Sequence, residues 1–311
     1  MPHTHHAAFE SLWASAALIL SALVYVRGWV RIRSRSVDTI QGWHAASFFL
    51  GLFFVWLALA SPIGALDHEL LTVHMVQHLL LMTLAPPLIW LGAPITPLLH
   101  GLPQRFLQQL LEGRIGQLSH STSVQRVRRT MAQPAVCLLL ATATLVGWHI
   151  PALFMLGLRS EAWHAIEQSS FLISGLLFWW PVVQPLVQRW PEASHRSEHS
   201  SEHRPQWSII VYLFLATLPC DILSAFLVFC DRVVYPVYSS SPRPLGFSAL
   251  ADQQCAGALM WTCVTVVYFV AGTILTARLL SPEVSRYGRV VRSDSLLSAS
   301  TQTTRSSLEV I

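Results

Sequence analysis

The sequence predicts an all-α fold, a polytopic membrane bundle of seven transmembrane helices with its N-terminus out and its C-terminus in. Three observations carry that prediction. Of the 311 residues 53% are hydrophobic and only 12% are charged, whereas soluble domains are about a quarter charged. Several apolar runs approach or exceed the ~18 residues that a helix needs to cross a bilayer. The basic residues, all of them arginine, gather in alternate loops.

The spans fall at about 9–27, 43–60, 70–91, 134–157, 163–187, 207–230 and 252–280, and together they make one domain over 1–280. The first begins directly after MPHTHHAAFESLW, which lacks a basic leader region, so no cleavable signal peptide is expected. His3, His5 and His6 in that stretch are weak evidence for metal. Neither of the first two spans has a charge at its centre. The third, within LLTVHMVQHLLLMTLAPPLIWLGAP, carries His74, Met75, Gln77 and His78. The loop after it spaces apolar residues helically over Leu102–Leu118, which predicts an amphipathic helix on the inner membrane surface. Span four holds Trp148-His149-Ile150-Pro151, and Pro151 predicts a kink that turns His149 inward. Span five opens with His164, and Glu167 lies a turn deeper. The following loop sets His195, His199 and His203 among Ser, Glu and Pro, and reads as a solvated linker rather than a metal site. Span six contains Pro219 and Asp221; span seven begins with Asp252-Gln253 and continues through Met260. Residues 281–311, rich in Ser, Thr and Arg, read as a disordered cytoplasmic tail.

Seventeen of the twenty arginines follow spans one, three, five and seven. Loops on the cytoplasmic side carry such an excess, which sets the orientation. The same pattern makes membrane lipid the natural surroundings of the arginines and leaves no need for nucleic acid.

Orientation gathers the polar residues of the spans. His74, His78, His149, His164, Glu167, Asp221, Asp252 and Gln253 all map to the outer half of the bundle. Ionisable groups within a membrane are costly and mark function by default. His74 and His78, four apart, share one helical face. Met75 points about 100° away from His74. Imidazole with thioether sulfur suits copper, Cu(I) above all, while imidazole alone also suits zinc or haem iron. Haem is the less favoured reading, because His74 and His78 lie on one helix and cannot flank one haem plane. His149 with His78 can. The candidate metal ligands are therefore His74, His78, His149, His164, Met75 and Met260. Gln77, Glu167, Asp221, Asp252 and Gln253 are candidates for orienting imidazoles or carrying protons. Taken singly, each reads equally well as a satisfied interhelical hydrogen bond.

No GxSxG, HExxH or P-loop motif occurs, and no enzymatic activity is expected. The five cysteines form no CxxC pair; Cys230 and Cys255, at neighbouring span ends, are placed to allow a disulfide.

His74-Met75-x-Gln77-His78 is followed by Pro86-Pro87-Leu88 and Gly92-x-Pro94. Further on come Trp148-His149-x-Pro151, His164-x-x-Glu167, Phe178-Trp179-Trp180-Pro181, Tyr235-x-x-Tyr238 and Asp252-Gln253-x-x-Ala256-Gly257-x-x-Met260-Trp261. In this order, over about 70–261, they resemble the multi-pass CtaG family of cytochrome c oxidase assembly proteins. The resemblance implies an assembly factor of the bacterial cytoplasmic (inner) membrane that aids copper delivery to a haem-copper oxidase. Its partners would be oxidase subunits and a copper chaperone. One departure stands out. Many relatives carry a second histidine just after the glutamate, and here that position is Gln168, a poor copper ligand. A copper transporter or resistance protein, a haem or quinone redox protein and a metal-free assembly scaffold remain alternatives.

Overall fold

The computed structural model describes residues 3–34, 40–61, 66–103, 133–187, 207–239, 246 and 248–280, with isolated residues between 105 and 131. Every described element is helical: α1 (His3–Arg33), α2 (Gly42–Leu59), α3 (Leu71–Leu79), a π-turn (Leu80–Leu84), α4 (Ala85–Leu91), α5 (Ile95–Gly101), α6 (Pro134–His149), α7 (Pro151–Arg159), α8 (Glu161–Val187), α9 (Trp207–Phe229), a 3-10 turn (Pro236–Ser239) and α10 (Ala249–Leu280). The expected surface helix over Leu102–Leu118, the histidines at 195, 199 and 203, and the tail from 281 lie outside the described residues, as do the side chains of His3, His5 and His6. None of the five cysteines forms a disulfide, so Cys230 and Cys255 are not paired.

Among the described residues five helical stretches are long and apolar enough to cross a membrane: Ser11–Arg33, Gly42–Leu59, Leu71–Leu91, Trp207–Phe229 and Ala249–Arg278. The bent pair α6–α7 makes a sixth if it is one span. The expected fifth span, over 163–187, corresponds to α8, 27 residues long, whose first half carries Glu161, His164, Glu167 and Gln168. Those polar groups explain why composition alone does not mark it.

The hub of the bundle is the span built from α3, the π-turn and α4. Of its most apolar stretch 61% is buried inside the protein, against 11% for α1 and 22% for α10. It packs against α2, α8 and α10, while α9 packs on α10 and α6. Large apolar side chains on the outer helices face outward: Phe214, Ile222 and Phe229 on α9 are more than three-fifths exposed. An apolar surface on this scale suits lipid, not water. On the far flank α1 crosses α5 so closely that the Val24 carbonyl oxygen leaves no room for a Cβ on Gly101, and small residues permit such backbone approach.

Two proline-bearing spans behave differently. Pro151 forces the preceding Ile150 out of the helical region, to φ −66° and ψ 125°, and the two halves of that span diverge by 76°. The expected kink at Pro151 is thus a full break. In the hub, Pro86 and Pro87 likewise remove two backbone donors. There the helix loosens into the π-turn and continues, because the indole Nε1–H of Trp179 donates to the Met82 carbonyl at 3.1 Å. Ala93 then adopts φ +45°, a left-handed conformation that ends the span before α5.

Candidate metal centre

α3 sets two imidazoles on one face. The rings of His74 and His78 meet edge-on with centroids 4.4 Å apart, and both are buried. α8 brings Glu167 between them. Its Oε1 lies 3.5 Å from His74 Nε2 and 3.3 Å from His78 Nε2. Phe171 stacks on His78 at 3.9 Å and Phe154 meets His74 edge-on at 4.9 Å, so aromatic walls exclude water.

Beyond these two His–Glu contacts the triad has no hydrogen-bond partner: the Nδ1 atoms of His74 and His78 and Oε2 of Glu167 are buried without one. A buried polar atom left unpaired costs about 1–3 kcal/mol. The spacing suggests what answers that cost. Two ligands each about 2.0–2.1 Å from a tetrahedral ion stand about 3.3–3.4 Å apart. The two Nε2–Oε1 separations are close to that size, and one ligand atom from each of the three side chains lies within 4.8 Å of the others.

α7 folds back over this triad, and Gly157 lies against the carboxylate. A Cβ there would stand 2.5 Å from Glu167 Oε2. Glycine is what lets the helix approach so closely. A second polar chain braces α8 from the other side: Trp148 Nε1 donates to Ser170 Oγ at 2.8 Å, and Ser170 donates to the Glu167 carbonyl at 2.7 Å.

His149 closes α6 one helix away. Its Nδ1 is 2.7 Å from the Leu145 carbonyl, and its Nε2 is 3.3 Å from Met75 Sδ. Donation from Nδ1–H to the carbonyl leaves the Nε2 lone pair facing the thioether. Two lone pairs in contact suit a soft cation between or beside them. Tyr235 donates to the His149 carbonyl at 2.9 Å, which the broken helix leaves without its usual partner. Below lies a cavity of about 40 Å³, lined in part by His78, His149, Met75, Met82, Cys220 and Met260.

His164 stands apart from Glu167. Its Nε2 is 3.4 Å from Asp67 Oδ2 and 3.2 Å from Gln168 Nε2. Its ring lies parallel to that of His74, 5.8 Å away. His68 Nε2 is 3.7 Å from Asp67 Oδ1. One ligand atom from each of Asp67, His68 and His164 lies within 4.8 Å of the others. Sequence reasoning singled out neither Asp67 nor His68. The available signal was an Asp-His pair just outside the membrane end of span three, at the depth of His164.

The remaining candidates hold the frame. Asp252 caps α3: its Oδ2 accepts from the Leu71 amide at 2.7 Å, and its Oδ1 from the Thr72 amide at 3.1 Å and the Thr72 hydroxyl at 2.6 Å. Gln253 accepts from the Val234 amide and donates to the Leu227 and Arg232 carbonyls, tying the loop before α10 to the end of α9. Gln77 donates to the Ala58 carbonyl at 3.2 Å and fastens α3 to α2. Asp221 is half-buried on α9 with Oδ1 unpartnered, and it joins neither His-carboxylate group. Tyr238 donates to the Asp67 carbonyl at 2.8 Å. Burial, reinforced by the carboxylates of Asp67 and Asp252, pushes its phenol well above the usual range, so it stays a donor.

The family model described as cytochrome c oxidase caa3 assembly factor matches residues 23–281. Uncharacterised proteins of Mycobacterium bovis and Mycobacterium tuberculosis are each 25% identical over 265 residues, which is 82% of this chain and 36% of theirs. One of Mycobacterium leprae is 23% identical over 276 residues, 87% of this chain and 39% of its own. The chain thus spans less than two-fifths of the length of these relatives. No solved structure matches it.

Proposed function

The chain belongs to the cytochrome c oxidase caa3 assembly factor family, and from that premise we propose that it binds copper in the membrane and passes it to the oxidase during assembly. His74, His78 and Glu167 hold the ion, with Met75 and His149 beside them as soft and nitrogen donors. Its partners are oxidase subunits and a copper chaperone, and it acts as a factor, not an enzyme. α8 completes a seven-span bundle in the bacterial inner membrane, N-terminus out, so the site lies in the outer half. The arginine distribution supports this orientation. The observation that carries the copper reading is the buried triad, whose two His–carboxylate spacings are close to those of ligands around one ion and whose remaining polar atoms have no partner.

The test is a competition for Cu(I) between the detergent-purified full chain and a Cu(I) chelator. The wild type should retain Cu(I) in the buried site; His78→Ala should weaken it, and combined alanine substitution of His74, His78 and His149 should abolish it. Equal Cu(I) retention by the triple variant would overturn the site. A Soret band in the same preparation would favour haem instead.

One observation favours a second reading, passage of copper deeper into the bundle. Met75, Met82, Cys220 and Met260 put four sulfur atoms around the cavity below His78. Copper uptake by sealed vesicles would support transport; copper bound without uptake supports handover at the outer face.

A further inference from the structure

We propose that Asp67, His68 and His164 form a second cation site at the rim of the bundle, from which an ion passes to the buried triad by way of His164. The passage rests on the reading of the buried triad as a copper site; the rim site itself does not.

The rim set offers two imidazoles and a carboxylate; the imidazoles suit Cu(I), the ion that passes inward without change of oxidation state, and the full set suits Zn²⁺ as well. It is also a built site. Asp67 is buried in a turn whose Leu66 carbonyl accepts from the Glu69 and Leu70 amides at 3.0 and 2.9 Å. The Tyr238 hydroxyl holds the same turn at the Asp67 carbonyl. His68 is the accessible member, its side chain 56% exposed. An ion from solvent meets it first.

The connection inward follows from α8. His164 and Glu167 are three residues apart, hence on one face and about 4.5 Å apart along the axis. His164 serves the rim while its ring lies parallel to His74 of the buried triad. Each triad takes two ligands from the segment that enters the hub span and one from α8. The ion therefore leaves one His-His-carboxylate set for another of the same kind, across the 5.8 Å between the His164 and His74 rings. Gln168 belongs to the upper of the two: its amide nitrogen lies 3.2 Å from His164 Nε2. An imidazole in its place would join the rim set, not the buried one.

The test uses the full chain in detergent, titrated with Zn²⁺ as a redox-inert probe by equilibrium dialysis. Two equivalents are expected for the wild type, one for His68→Ala, one for Glu167→Gln and none for the double variant. Because His68 faces solvent, its replacement leaves the core intact. Gln168→His should tighten the equivalent that His68→Ala removes. Retention of both equivalents by His68→Ala would overturn the rim site. Loss of one by His68→Ala and none by Glu167→Gln would uphold the rim site and overturn the buried one. Passage is read separately, as the rate at which chelated Cu(I) enters the buried site. That rate should fall about tenfold or more in His68→Ala with final occupancy unchanged; an unchanged rate overturns the passage.

Discussion

The buried and rim triads use the same kinds of ligand and draw on the same two segments, yet they stand in opposite relations to water. At the rim, His68 is more than half exposed, so solvent can satisfy whatever a cation does not. In the buried triad, His74 and Glu167 have no exposed side-chain surface, and Phe154 and Phe171 line the rings. There the Nδ1 atoms of both imidazoles and Oε2 of Glu167 have no partner, and no solvent-exposed side-chain surface offers one. Depth alone sets the two apart: an ion held at the wet set would exchange readily, and one held at the dry set would become part of the folded structure.

The comparison can be broken most directly at Gly157. Gly157→Ala puts a methyl group 2.5 Å from Glu167 Oε2 and should displace that carboxylate alone. Affinity at the buried site is expected to fall about 10- to 100-fold while the rim equivalent is unchanged. Metal titration reads both, and equal losses at the two sites would erase the distinction. A smaller effect is expected from Asp252→Ala. Asp252 caps α3 between the two ligand pairs, downstream of Asp67-His68 and upstream of His74. Its loss should cost about 1–2 kcal/mol, seen as a lower midpoint of thermal unfolding. Both sites should weaken together, because the cap positions both. The smallest change belongs to Tyr238→Phe, which removes one hydrogen bond to the rim turn, worth about 0.5–1.5 kcal/mol. Zn²⁺ affinity at the rim should drop a few fold and Cu(I) affinity at the buried triad should not move; a loss at the buried triad would tie the two sites into one.

Much of this arrangement was legible in the sequence for a simple reason. Membrane spans announce themselves through long apolar runs, and a histidine within one is conspicuous against that background. His74, His78, His149 and Glu167 were visible on those grounds, as was the disruption at Pro151. Asp67 and His68 were not, because polar residues in a short loop are ordinary and only the turn at Leu66 returns them to His164. Helical geometry put Met75 about 100° from His74 and left its partner open. That partner, His149, comes from a helix more than seventy residues away, whose packing no local pattern encodes. The roles of Asp252 and Gln253 were hidden likewise. A carboxylate at the start of one helix capping the start of another is a tertiary fact, and the sequence offers only the two helix starts.

The π-turn at Leu80–Leu84 has a consequence for the phase of the hub helix. A π-turn accommodates one residue more than the regular helix it interrupts, and one residue corresponds to about 100° of rotation. The half that bears His74 and His78 is thereby rotated relative to the half that bears Trp90 and contacts α2 and α8. Deleting a single residue from 80–84 would restore a regular helix and swing the two imidazoles away from Glu167, with every ligand still present in the chain. Register, as much as residue identity, keeps the ligands convergent.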